Sequence, residues 1–299
     1  MSTPVESSQL VRAAVRDLRE HPARIAYAGV VVAVVPVVAA LCYSVSIGIT
    51  LLLDPAYFDL VSYDTYRMLT GFVAPVALCT TLAVFGLLDG LLVSTVATDD
   101  GVIAALGRVR ANPLGVALWA GTFVVAFWPF RLVVLPQWTL RWVLEAFHIV
   151  RGELGWLPVA PVAGAVAVVL ALAAATFFLA PLTVVDARSP RDALVTNLRL
   201  LLATPAETAV AVSLGVASVL TGGLAVCLGL LVTAFSLGLW IFGLVLLPVA
   251  VVALALGFVC LAAAYAFSRT LLVETYRLGC DRLSDGPGNT STRTPIDPS

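Results

Sequence analysis

The chain has 299 residues, 61% of them apolar and only 12% charged, with a formal net charge of −1. Soluble domains carry roughly 25% charged residues, so half the usual charge is missing. That excludes an ordinary soluble globular domain. The shortage is also localised: residues 25–53, 68–88, 111–130, 154–185 and 208–268 contain no charge at all.

A helix needs about 20 apolar residues to cross the hydrocarbon core. The first four charge-free stretches each predict one span. The fifth is too long for one helix at about 1.5 Å per residue and predicts two, with a break near Phe235-Ser236-Leu237-Gly238. The expected fold is therefore all-α, a polytopic membrane domain of six spans at about 25–52, 68–97, 113–135, 157–185, 207–234 and 239–272. The first is read as a retained span, because its apolar stretch far exceeds the roughly 7–15 residues of a signal-peptide core. The final segment, residues 280–299, is rich in Pro, Gly, Ser, Thr and Asp. Such a composition predicts a disordered tail.

Orientation follows from arginine, since basic residues stay in the cytoplasm. All seventeen basic residues are arginine, which points to a GC-rich genome. Arg12, Arg16, Arg19, Arg24, Arg108, Arg110, Arg188, Arg191, Arg199, Arg269, Arg277, Arg282 and Arg293 fall on one side of the six spans. Only Arg67, Arg131, Arg141 and Arg151 fall on the other. Both termini are thus expected in the cytoplasm, with the protein in the cytoplasmic membrane. Tyr57, Phe58, Tyr63, Tyr66, Trp128, Trp138, Trp142 and Trp156 cluster at the expected outer ends, where an aromatic belt sits at headgroup level. Five cysteines, Cys42, Cys79, Cys227, Cys260 and Cys280, show no Cys-x-x-Cys spacing. Neither a disulfide nor a zinc site is expected.

The chain also reads as three copies of one unit. Pro22, Pro113 and Pro205 recur 91 and 92 residues apart, each after a short amphipathic segment and at the start of a span. The segments are Val11–His21, Val102–Asn112 and Ala193–Thr204. Each is expected to lie in the membrane interface with its apolar face down. The residue before proline avoids the α region, so the interfacial helix stops there. Proline then opens the next helix, where its missing N–H costs nothing. Ser189-Pro190-Arg191-Asp192 reads as the N-cap of the third interfacial helix. Two spans per unit imply three parallel repeats about an axis along the membrane normal. Inverted-repeat transporters need an odd number per unit and are disfavoured. None of the prolines within the spans begins the acidic-then-basic signature of mitochondrial-type carriers.

The run Leu179-Ala180-Pro181-Leu182-Thr183-Val184-Val185-Asp186, followed by Ser189-Pro190-Arg191-Asp192-Ala193-Leu194 and Asn197-Leu198-Arg199-Leu200, resembles an element of bacterial and archaeal six-span proteins. These are grouped around the glycerophosphoryl diester phosphodiesterase membrane domain. Asn197 stands where that group usually has serine. The resemblance is specific over this stretch and diffuse over residues 10–276. It implies a membrane fold. In the group, hydrolysis belongs to a separate soluble domain of some 250 residues, for which the segments outside the spans are expected to have no room.

Few polar residues could carry chemistry. Asp89 lies between Leu88 and Gly90 in an apolar stretch, and an acid inside a span is suspect for function by default. Yet residues 68–98 would make a helix of about 46 Å, longer than the roughly 30 Å core. Asp89 is therefore expected close to the cytoplasmic boundary, as a cap or the partner of an interfacial arginine ahead of a functional role. Arg131 follows Trp128-Pro129-Phe130 and reads as a snorkelling anchor or an anion contact. Arg141, Glu145 and His148 recur at i, i+4 and i+7. That stripe is the solvated face of an outer helix, a ligand contact, or part of a metal site. Di-metal bundles need two Glu-x-x-His motifs, and here there is one. Arg269 and Glu274 at i, i+5 are off-register for pairing with each other, so each is expected to meet another element. Gly86, Gly90, Gly222 and Gly223 suit close helix packing.

No catalytic, cofactor or metal site is expected, and no nucleic-acid partner. The leading expectation is a non-enzymatic accessory or scaffold protein, with the lipid bilayer and another membrane protein as partners. A transporter or channel would require Asp89 and the four glycines to face a central cavity. An intramembrane lipid enzyme would require Asp89 to lie within hydrogen-bond reach of a polar group on another span.

Overall fold

The computed structural model describes residues 4–53, 74–98, 101–134, 167–168, 171–238 and 241–284. Its helices are α1 (Pro4–Glu20), α2 (Ala23–Leu53), α3 (Ala74–Thr98), α4 (Val102–Ala111), α5 (Pro113–Val134), α6 (Leu179–Val184), α7 (Pro190–Ala203), α8 (Pro205–Gly238) and α9 (Ile241–Ser284). The described residues are almost entirely helical, with no strand among them. Four stretches, Ala23–Cys42, Cys79–Thr98, Pro205–Thr233 and Leu247–Ser284, are long and apolar enough to cross a membrane. Their outward faces are apolar too. Leu220, Leu224, Leu228 and Leu231 form one exposed stripe on α8, and Val249, Val252, Leu256 and Val259 another on α9. Water would not support such continuous apolar stripes, whereas lipid is as apolar as leucine.

The helices meet at proline elbows. α1 gives way to α2 around Pro22, α4 to α5 at Pro113, and α7 to α8 at Pro205. Asn112 and Thr204, the residues before the second and third prolines, have nearly the same backbone angles, φ −128° and ψ 66° against φ −132° and ψ 53°. Both leave the α region, as a residue before proline must. At all three elbows the residue before proline donates its N–H to the carbonyl four residues earlier: His21 to Asp17, Asn112 to Arg108 and Thr204 to Leu200. α7 opens as its sequence predicts, with the Ser189 hydroxyl accepting from the Asp192 N–H at 3.3 Å.

The short helices differ in what they cover. α4 leaves Ile103 88% exposed and α7 leaves Leu202 74% exposed, consistent with apolar faces meant for lipid. α1 departs from the expectation: its Leu10 and Ala14 are buried against Ala211 of α8 and Leu271 of α9. The reason lies in α9, which runs on as a helix to Ser284 and offers α1 a protein surface. The same extension corrects the expected disorder of residues 280–284. Arg282 on it pairs with Glu207 at 2.7 Å and donates to the Ala203 carbonyl at 3.3 Å.

The described part of the expected fourth span is not one continuous helix. It is interrupted by a turn at 176–178, held by Asn197, whose amide oxygen accepts from the Phe178 N–H at 3.0 Å and whose nitrogen donates to the Ala175 carbonyl. Residues 54–73 and 135–166, with the outer loops and aromatic belt expected there, lie outside the described residues.

The most extensive packing is between α8 and α9, while α2 packs on α3 and α9. Without a hydrophobic drive between helices in lipid, close backbone approach has to hold them. Gly222 supplies it: a Cβ there would lie 2.7 Å from Leu261 Cα, and one at Gly229 would lie 2.8 Å from Leu254 Cα. Gly86 does the same between α3 and α5, with a Cβ falling 2.6 Å from Ala120 Cα. Gly223 has open space instead, so it does not share the packing role expected of it. Gly222→Ala is therefore expected to destabilise the protein by about 1–3 kcal/mol, as overpacking does. Gly223→Ala is expected to be neutral or stabilising by up to about 1 kcal/mol, since alanine favours the helix. Unfolding midpoints of the two purified variants in detergent check this, and equal effects would refute it.

Candidate functional site

Asp89 sits on α3 and is completely buried. A carboxylate deep in an apolar span costs roughly 2.5–3.5 kcal/mol, so its surroundings must offset that cost. Three groups from two other helices converge on it. The Trp119 indole on α5 donates to Oδ2 at 3.2 Å. The Tyr265 hydroxyl on α9 donates to Oδ1. The Arg269 guanidinium, one turn further along α9, places Nε 2.6 Å from Oδ1. Nε lies near enough for an ion pair but makes no aligned hydrogen bond.

The donors support one another. Arg269 Nη2 donates to the Tyr265 hydroxyl at 3.2 Å, and its guanidinium carbon lies 4.9 Å from the centre of the Tyr265 ring. The i, i+4 spacing on α9 puts the two side chains on one face. Phe85, one turn before Asp89 on α3, packs its ring 5.9 Å from that of Tyr265. The result is a buried polar cluster closed by three helices, in which each donor also orients another. The expectation that Arg269 meets another element is met by Asp89, while Glu274 pairs with Arg277 on its own helix at 2.7 Å.

A second polar layer lies at the C-terminal end of α3, where unpaired carbonyls carry partial negative charge. Arg24 of α2 donates to the Val96 carbonyl at 3.4 Å and Arg277 of α9 to the Ala97 carbonyl at 2.9 Å. Arg108 of α4 donates to Ser94 and Thr98 at 3.1 and 2.6 Å. Asp17 pairs with Arg24 and with His21, so His21 belongs to the first elbow as expected. Nearby, Asn112 ties the second elbow to the 179–188 segment, donating to the carbonyls of Thr183 and Arg188 at 2.9 Å each. Asp186 accepts from Tyr276 at 2.6 Å and pairs with Arg188 at 3.2 Å.

Of the residues singled out in the sequence, Asp89 and Arg269 are brought together in one polar constellation. Arg131 lies on α5, but its side chain is outside the described residues, as are Arg141, Glu145 and His148 entirely. Trp119 and Tyr265 were missed as partners. The available signal was the Tyr-x-x-x-Arg spacing of Tyr265 and Arg269 at the end of the last apolar stretch. Among the described residues, no three His, Cys, Asp or Glu side chains converge as a metal site would require.

The cluster borders a cavity of about 360 Å³ lined by Trp119, Tyr265 and Arg269 together with an apolar wall from α8. Chemically, the Asp89 carboxylate is engaged at both oxygens, Oδ1 by Tyr265 and Arg269 and Oδ2 by Trp119. Compared with family models, with curated proteins and with solved structures, the chain matches none.

Removing one member of a buried pair strands the other charge, at a cost of about 3–5 kcal/mol. Asp89→Ala and Arg269→Met are each expected to lower stability by that order. The double variant Asp89→Leu with Arg269→Met should recover most of the loss. Thermal unfolding of the singles and the double in detergent measures the coupling. Additive losses would show that the pair does not hold the helices together.

Proposed function

We propose that this chain is a non-enzymatic accessory or scaffold protein of the cytoplasmic membrane, with six spans in three parallel two-span units and both termini cytoplasmic. The observation that carries the non-enzymatic reading is the enclosure of Asp89 by Trp119, Tyr265 and Arg269. An intramembrane acid–base catalyst needs a carboxylate left free to exchange a proton with its substrate. Here polar partners are within reach, but they engage both oxygens of Asp89.

Six spans are supported by the four long apolar helices, with the apolar α5 and the helical residues before the 176–178 turn supplying the material for two more. The threefold repeat is supported by the shared elbow hydrogen bond and by the matching angles at Asn112 and Thr204. Cytoplasmic termini are supported by the gathering of Arg24, Arg108, Arg277 and Arg282 at the end of the bundle where the elbows lie. The resemblance of residues 179–200 to the glycerophosphoryl diester phosphodiesterase membrane domain fits the same picture and brings no hydrolytic chemistry with it.

Transport through a central path fits less well. That reading needs the glycines to face a cavity. Gly86 and Gly222 instead lie at helix contacts, and neither lines the cavity beside Arg269.

Two experiments test the proposal. A fluorescent protein that matures only in the cytoplasm, fused to the C-terminus, is expected to be bright; a dark, fully inserted fusion would overturn the orientation. Native mass spectrometry after gentle extraction is expected to find a second polypeptide at fixed stoichiometry. A chain that is always recovered without one, from cells expressing it at native level, would overturn the accessory role.

A further inference from the structure

The cavity beside the Asp89 cluster has two unlike walls. One is α8, contributing Val212, Val216, Val219 and Leu220. The other carries Tyr265, Ser268 and Arg269 of α9, with Trp119 and Thr122 of α5 and Thr176. It occupies the gap between α5 and α8, which make no extensive contact with each other. A cavity with a purely apolar lining stays dry and takes apolar guests. This one also presents a cation. Arg269 uses Nε toward Asp89 and Nη2 toward Tyr265, and 14% of its side chain is exposed. A guanidinium has five N–H donors in a rigid fork, and among the described residues Nη1 has no hydrogen-bond acceptor. Asp89 already balances the guanidinium, so what Nη1 offers an added acidic oxygen is a charge-assisted donor fixed in place rather than an unbalanced positive charge.

Size narrows the guest. About 360 Å³ lies at the low end of the roughly 300–1,000 Å³ typical of small-molecule sites. That fits one chain and not two. The α8 wall from Val212 to Leu220 is about 12 Å long at 1.5 Å per residue, a length that suits an extended hydrocarbon. The surrounding helices present apolar stripes of the kind that hydrocarbon chains cover.

We propose that this cavity binds one single-chain acidic amphiphile, with an acidic head oxygen on Nη1 of Arg269 and the acyl chain against Val212, Val216 and Val219. A free fatty acid and one chain of an acidic membrane lipid share that chemistry. The inference rests on the membrane reading and is independent of the accessory role.

The test uses the full chain in a neutral maltoside detergent, with lauric acid as probe and dodecanol as the uncharged control, read by native mass spectrometry. Wild type is expected to take up one laurate saturably and at least tenfold less dodecanol. Val216→Trp fills the cavity from the α8 wall while leaving Asp89, Tyr265 and Arg269 themselves unchanged, and is expected to lose laurate at least tenfold while melting no lower than wild type. Should that variant fail to fold, Val212→Phe on the same wall makes the same prediction. Arg269→Lys keeps the charge for Asp89 but lacks the forked donors, and should also weaken laurate. Equal uptake of dodecanol, non-saturable laurate, or laurate binding unchanged in the folded cavity variant would each overturn the proposal. A phospholipid retained from the membrane and displaced by laurate would identify a bilayer source; laurate binding with nothing to displace would identify a free acid. Recovery of the chain in the soluble fraction without detergent would instead sink the membrane reading itself.

Discussion

A charged carboxylate in the middle of an apolar bundle has to be answered by the rest of the molecule, and Asp89 is answered by α5 and α9 at once. Trp119, Tyr265 and Arg269 reach it from two helices that are distant in sequence. In lipid the hydrophobic effect does not drive one helix onto another, so a directional polar contact of this kind selects which helices meet. The position along α9 matters too. Arg269 lies two helical turns before Arg277, about 12 Å deeper at 1.5 Å per residue. The polar cluster therefore stands one layer beneath the arginines that cap α3.

Those capping arginines carry the second constraint. The C-terminal carbonyls of α3 would be orphaned at the edge of an apolar medium, and Arg24 and Arg277 satisfy them from α2 and α9. Basic residues also have individual structural work: Arg108 on the Ser94 and Thr98 hydroxyls, Arg282 on Glu207 and the Ala203 carbonyl. A buried core around Phe178, Leu179, Leu182, Leu200, Leu272 and Tyr276 lies at this same end. Toward the other end α8 and α9 hold together by glycine-mediated backbone approach, and their flanks face outward. The cavity lies between these two regimes, bounded by polar residues of α9 and valines of α8.

Much of the fold was legible because its signals are local. Charge-free stretches mark apolar helices, since an uncompensated charge in hydrocarbon is expensive. The elbows were readable at Pro22, Pro113 and Pro205 because proline restricts the residue before it whatever else the chain does. The Ser189 cap was readable for the same reason: its partner is three residues away. Other features were not readable. Nothing local distinguishes α1 from α4, yet α1 packs on protein through Leu10 and Ala14 while α4 leaves Ile103 outward. Gly222 and Gly223 are neighbours of identical type, and only the direction of Leu261 separates the one that must be glycine from the one that need not be.

The amino-acid sequence by itself determined that the chain is helical and apolar, where its helices turn, and that Asp89 needs a partner, because each of these depends on hydropathy, proline stereochemistry or desolvation within a few residues. Only the tertiary structure decided which partner that is, that Arg269 keeps a donor for a cavity, and that the interrupted segment before α6 is held open by Asn197. These depend on contacts between residues up to 180 positions apart, from Asp89 to Arg269. The physics that selects such contacts acts in space and leaves no periodicity along the chain.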